Sequence, residues 1–180
     1  MPGYYYFAAS LPMLKKETEL PFSSQEFIAL CRTQISENDL AILSEAVFDG
    51  SGCPGLHAVV KLWNNFVTAL HIDLASSRAE KLGLDSDEST VSFRQMPGTV
   101  DIVKQLLQAS NPLEAENLLF SVKWDFIEEL CTNHFFDLVM LIAYYLKIQL
   151  LERHSAQNKE QGLEAFKHIF SNIQATDDNL

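Results

Sequence analysis

Apolar residues in this chain recur every three or four positions rather than every second one. From Leu56 to about Leu82, the residues Leu56, Val59, Trp63, Phe66, Leu70 and Leu74 line up on one stripe of an α-helix, because a 3.6-residue period returns such positions to the same face. That helix would run ~40 Å at ~1.5 Å per residue and is expected to be the longest of the fold. Gly83 is placed to end it in the left-handed conformation. The stretch Leu138 to Leu146 differs in kind, since it carries no charge on any side. An apolar surface all round a short helix means burial against several neighbours. At ~13 Å it falls well short of a ~30 Å bilayer core. Phe135 to about Arg153 is therefore expected to be the most buried helix, the central post of the fold.

Shorter elements are marked by their ends. Ser23-Ser24-Gln25-Glu26 has capping-box spacing, with a hydroxyl at the N-cap and a carboxylate three residues on. Phe27, Leu30, Cys31 and Ile35 then share one predicted face. Asn38 is placed to cap a second short helix through Leu40, Leu43 and Val47. A helix of roughly Thr99 to Ala109 turns Val103, Leu106 and Leu107 inward. Asn111-Pro112-Leu113-Glu114 is a strong helix start: Asn at the N-cap, Pro at the first helical position, Glu beside the positive end of the dipole. That helix runs through Leu118, Val122, Phe126 and Leu130 and breaks at Asn133-His134. Gly162 to Ile173 predicts a final amphipathic helix. Tyr4 to Ala9 is too short for periodicity to separate a strand from a helical turn. No other stretch alternates with β-branched enrichment, so the prediction is all-α. A single helical domain over 1–180 is expected, with sub-bundles about 1–82 and 98–174 sharing a long central helix, and a polar loop 83–97.

Composition narrows the class. With 180 residues and 47% hydrophobic content, the chain is long and apolar enough for a well-buried core. Its net charge of −11 opposes phosphate backbones and anionic headgroups, so neither nucleic acid nor direct membrane insertion is expected. The acidic residues are spread along the chain, which fits a solvated exterior or the complement of a basic protein partner. Cys31, Cys53 and Cys131 are odd in number and far apart, which suggests reduced thiols, a cytoplasmic setting and a packing role. The opening residues show no basic segment followed by a long apolar one, so no secretory signal is expected.

Candidate chemistry is sparse. Gly50-Ser51-Gly52-Cys53-Pro54-Gly55 satisfies G-x-G-x-x-G and precedes a helix, with Asp73 roughly twenty residues on. A dinucleotide site needs a buried strand on each side. Here Ser44 to Phe48 continues a helical stripe, and Ser76 to Lys81 is too polar for a parallel sheet. The loop reads as a turn. His57, His71, His134, His154 and His168 include no pair four residues apart, and no Glu-x-x-His pair occurs. No cofactor, metal or catalytic residue is therefore expected. Arg78 and Arg153 are two of only four arginines, each in a predicted helix beside apolar residues. They can pair within the bundle or meet a partner carboxylate. Tyr5, in the run Tyr4-Tyr5-Tyr6, is either core or a recognition aromatic. Arg78, Arg153 and Tyr5 are the candidate partner contacts.

Tyr4-Tyr5-Tyr6-Phe7-Ala8-Ala9-Ser10-Leu11-Pro12 resembles the opening of a small bacterial family encoded beside V-type ATPase subunits. Leu62-Trp63-Asn64-Asn65-Phe66 with Arg78-Ala79 is similar to that family's central helix. Asn111 to Glu116, Phe135-Phe136-Asp137, Ala143 to Lys147 and Glu152-Arg153 resemble its most characteristic block. The family in turn looks like a shortened form of the central-stalk socket of V-type ATPases, the part called d in eukaryotic enzymes. That parent is a stack of three-helix bundles seating the rotor shaft on the membrane ring, and this chain has room for about half of it. The resemblance implies a non-enzymatic coupling part, peripheral to the membrane on the cytoplasmic side. Its partners would be the central-stalk and membrane-ring subunits. A helical adaptor unrelated to rotary ATPases would instead bind a soluble partner. An enzyme or nucleotide binder using the Gly50–Gly55 loop would retain nucleotide or metal on purification.

Overall fold

Seven helices and no strand make up the regular structure among the described residues of the computed structural model, which are 4–17, 19–52, 57–83, 96 and 98–156. In chain order they are α1 (Tyr5–Ser10), α2 (Ser24–Gln34), α3 (Glu37–Ser44), α4 (Ala58–Lys81), α5 (Thr99–Gln108), α6 (Pro112–Leu130) and α7 (Leu138–Ser155). The fold is all-α, and the ambiguous Tyr4–Ala9 segment is a short helix. Among the described residues no helix is long and apolar enough to cross a membrane. The expected helix Gly162–Ile173 and most of loop 83–97, in which Val91-Ser92-Phe93 is expected to dock back onto the core, lie outside the described residues.

The all-round apolar segment becomes the centre. α7 packs against α2, α3 and α6, while α5 packs against both α4 and α6. Ten of the eighteen residues of α7 are buried, against nine of twenty-four in α4, the longest described helix. Phe27, Leu43, Trp63, Leu70, Trp124, Ile127, Leu141 and Leu146 belong to one core cluster. Fully burying a side chain of this kind stabilises the fold by about 1.5–3 kcal/mol. One polar residue of α7 is buried too. Gln149 accepts a bond from the Phe48 amide (3.1 Å) and donates to the Ala46 carbonyl (2.8 Å), so its burial leaves no amide atom unpaired. Cys31 is fully buried, with its thiol pushed up to about 12 by burial, as expected of a small core hydrophobe.

Local capping follows the sequence in two places. Ser23 accepts from the Glu26 amide at 3.2 Å, and Glu26 accepts from the Ser23 amide at 2.7 Å. At α6, Asn111 accepts from the Glu114 amide at 2.9 Å, while the Glu114 carboxylate reaches one residue further back to the Ser110 amide at 2.8 Å.

Four expectations need correction. Ser36, not Asn38, caps α3, accepting from the Asp39 amide at 3.2 Å, which leaves Asn38 inside the helix. On α2 the buried positions are Phe27 and Cys31, whereas Leu30 is 45% exposed because the helix meets its neighbours on a narrower face. On α6 the buried face is Lys123, Trp124 and Ile127. The predicted stripe Leu118, Val122, Phe126 and Leu130 packs only half-buried against the core. Lastly, the central helix starts at Leu138 rather than Phe135, because Asp137 accepts from the Met140 amide at 3.1 Å and caps it. Phe135 and Phe136 stand outside.

The described part of the glycine turn is held firmly. Gly50 takes φ +74, a left-handed conformation that glycine adopts without steric cost. A Cβ on Gly52 would sit 1.9 Å from the Glu45 carbonyl oxygen. The Gly52 carbonyl accepts from the Asn64 side chain at 2.9 Å, and Trp63 donates to the Val47 carbonyl at 2.8 Å. The Gly50 amide donates to Val47 and the Ser51 amide to Asp49, so both are already engaged within the chain.

Candidate interaction surface

A cluster of aromatic rings lies in the open where α1 meets the turn between α6 and α7. That turn is shaped locally. Cys131 accepts from the His134 amide at 3.0 Å, and Asn133 adopts φ 66, a left-handed conformation in which Asn is several-fold enriched. His134 Nδ1 lies 2.5 Å from one oxygen of Asp137, whose other oxygen caps α7. Tyr4 joins from a distant part of the chain. Its amide donates to the Phe136 carbonyl at 2.9 Å, and its hydroxyl donates to Asp39 on α3. With both backbones fixed, the neighbouring side chains point outward. Tyr5 is 54% exposed, Tyr6 89%, Phe135 67% and Phe136 42%. Tyr5 packs on Phe136 at 4.5 Å between ring centroids and on Tyr6 at 5.5 Å, and Phe135 lies 6.5 Å from Phe136. The four rings form one continuous patch.

The patch continues into a groove of about 300 Å³ between α1 and α2, lined by Tyr6, Phe7, Leu11, Pro12, Phe22 and Leu30 among others, none of them charged. Residues next to the patch in sequence line a cavity of about 170 Å³: Tyr4, His134 and Asp137, with Asp39, Ile42, His57, Leu138 and Val139. Burial, then the bond to Asp39, raises the Tyr4 hydroxyl above its ordinary value. Burial works against the charged Asp137 carboxylate, but the bonds from His134 and the Met140 amide outweigh it and hold the group below the usual range. These bonds fix the base on which the exposed rings stand. Grouped His, Cys, Asp and Glu side chains able to hold a metal do not occur among the described residues.

The three candidate contact residues fall in two places. Tyr5 is in the aromatic patch. Arg78 on α4 and Arg153 on α7, distant in sequence, line one open groove of about 500 Å³ with residues of α5 and α6. Tyr6, Phe135 and Phe136 were missed as surface residues, because apolar content alone reads as core. Lys123 was missed as well. It is buried on α6, its ammonium 3.4 Å from the Phe48 carbonyl and 5.9 Å from the Phe48 ring centroid, with Arg153 over the same ring at 5.5 Å. Burial first, then the neighbouring Arg153 charge, push its amine down to about 8 against the opposing pull of Glu116 and Asp49.

Compared with known proteins, residues 95–176 match the model of a family described as "Protein of unknown function (DUF2764)". The match spans α5 to α7 and takes in Phe135, Phe136 and Arg153, but neither Tyr5 nor Arg78. No curated protein and no solved structure matches the chain.

Proposed function

We propose that this protein is a non-enzymatic coupling part of a bacterial V-type rotary ATPase, held at the cytoplasmic face of the membrane through the rotor shaft and ring. The observation that carries the proposal is the aromatic patch. Two separate sequence blocks behind the family resemblance, Tyr4-Tyr5-Tyr6 and Phe135-Phe136-Asp137, meet there in space. Neither block needs exposed rings to build the core, and large aromatic side chains clustered in water mark partner surfaces. A rigid base suits transmission of torque, since a contact resting on capped helix ends and on bonds between distant parts of the chain does not swing under load.

Docking through the patch makes a direct test possible. Mixed at low salt with purified shaft and ring components of a V-type ATPase, the protein is expected to form a complex. The double variant Tyr6→Ser and Phe135→Ser should weaken it at least about tenfold, since truncated aromatic hot spots typically cost more than 1 kcal/mol each. With a net charge of −11, the protein should not bind anionic liposomes by itself. If no complex forms with either component while protein-free liposomes bind the chain well, the coupling reading is wrong. Patch-dependent binding to an unrelated soluble protein, with no rotary component bound, would establish the adaptor reading instead.

A further inference from the structure

The groove holding Arg78 and Arg153 brings residues of α4, α5, α6 and α7 together. On α4, the half-buried Leu74 and the exposed Arg78 follow one another one turn apart, with the buried Leu70 one turn before them and the exposed His71 beside it. Ala115 and Leu119 line the opposite side on α6, with Leu106 and Leu107 contributed by α5, which packs against both helices. The walls are thus mainly aliphatic, with the His71 imidazole among them. Two guanidinium groups, against one carboxylate from Glu116, supply the charge.

That carboxylate neutralises little. Arg153 reaches Glu116 at 3.5 Å with both side chains well exposed to water, a geometry at the limit of a hydrogen bond and of small worth as a surface pair. Arg78 makes no ion pair among the described residues. On a chain of net charge −11, an aliphatic valley bearing two arginines is a local reversal of sign. Arg also differs from Lys in presenting a planar fork that grips carboxylates with two parallel bonds.

We propose that this groove receives an amphipathic helix of a protein partner. The partner helix would lay a stripe of aliphatic side chains, spaced three and four residues apart, against the half-buried Leu74, Leu107 and Leu119. An Asp or Glu next to that stripe would meet Arg78 or Arg153. This is the helix-in-groove mode of recognition, in which i, i+3, i+4 and i+7 anchors fill an apolar valley. The commitment to an acidic helix comes from charge complementarity, which sets partner choice and register. It stands on this groove alone and does not require the rotary ATPase assignment, whose contact is placed on the aromatic patch.

The test uses the full chain and a displayed library of random 16-residue peptides. Selection runs on the wild-type protein, with counter-selection on the Arg78→Glu variant. Arg78 is exposed and unpaired by ion bridges among the described residues, so that variant should fold; circular dichroism and melting temperature check it. Selected peptides are expected to carry aliphatic residues at helical spacing with Asp or Glu beside them. Synthesised singly, they should lose at least tenfold in affinity on Arg78→Glu and on Arg153→Gln, and keep their affinity on Tyr6→Ser. Selection of Lys- or Arg-rich peptides, of sequences without helical spacing, or of binders indifferent to Arg78 would overturn the proposal. So would displacement of the selected peptides by dodecanoate at equal concentration, which would make the groove a site for a small carboxylate ligand.

Discussion

Phe135-Phe136 and Tyr144-Tyr145 are aromatic doublets nine residues apart at the start and in the middle of one apolar segment, and the fold treats them in opposite ways. Tyr144 is buried, its ring 5.2 Å from Phe27 and 6.3 Å from Phe22, with its hydroxyl donating to the Pro12 carbonyl at 2.8 Å. Burial pushes that hydroxyl up to about 12. Tyr145 is half-buried and stacks on Phe27 at 5.9 Å. Phe135 and Phe136 are exposed. Hydrophobicity does not separate the pairs; the position of Asp137 does. A helix cap fixes where regular structure starts, and residues before it leave the helical face however apolar they are.

The strongest way to break this contrast is Ala143→Asp. Ala143 is 3% exposed inside the central helix, and an unpaired carboxylate there should cost several kcal/mol or remain protonated. A drop in melting temperature of about 10 °C or more is expected, and an unchanged value would show that α7 is not the core. Tyr144→Ala comes next, at about 3–5 kcal/mol, read from chemical denaturation with an unchanged m-value. Asp137→Ala should cost about 1 kcal/mol through loss of the cap. Its pH dependence sharpens the point. The folded carboxyl is depressed, so its ionic contribution is present above the unfolded pKa of ~3.9 and is lost as pH falls through the lower folded value. Wild type and variant should therefore begin to converge in stability below about pH 4 and meet only once pH has fallen under the depressed folded value. The smallest effect belongs to the exposed doublet: Phe135→Ser should change stability by no more than about 0.5 kcal/mol. A loss of several kcal/mol there would mean that the ring is core after all.

What could be read in advance follows the range of each interaction. Ser23 with Glu26, and Asn111 with Pro112 and Glu114, are settled within four residues, and their spacing announces them. Trp63, Phe66 and Leu70 were legible because a long helix repeats its message. The start of α7 was not, since apolar continuity from Phe135 onward outweighed one aspartate. Cap choice at α3 failed for a related reason: Ser36 and Asn38 are both good caps, and only the folded chain selects between them. The surface was least legible. Tyr5 meets Phe136 only because Tyr4 pairs with the backbone of that turn, and Arg78 shares a groove with Arg153 only because α5 packs against α4 and α6 while α6 packs against α7. Those encounters belong to tertiary structure, on which local patterns are silent.

The bonds that anchor the first residues also set a schedule for biosynthesis. Tyr144 donates to Pro12 across 132 positions of sequence, and Tyr4 reaches Phe136 over a similar span. At about 5–20 residues per second on the ribosome, the segment Tyr4 to Pro12 emerges on the order of ten seconds before its receptor does. During that interval Tyr4, Tyr5, Tyr6 and Phe7 have no completed core to join. Emergence of the turn before α7 and of α7 itself, rather than formation of α1, is then the event that lets residues 4–12 dock, and a nascent chain stalled before Phe136 should be held by chaperones through those four rings.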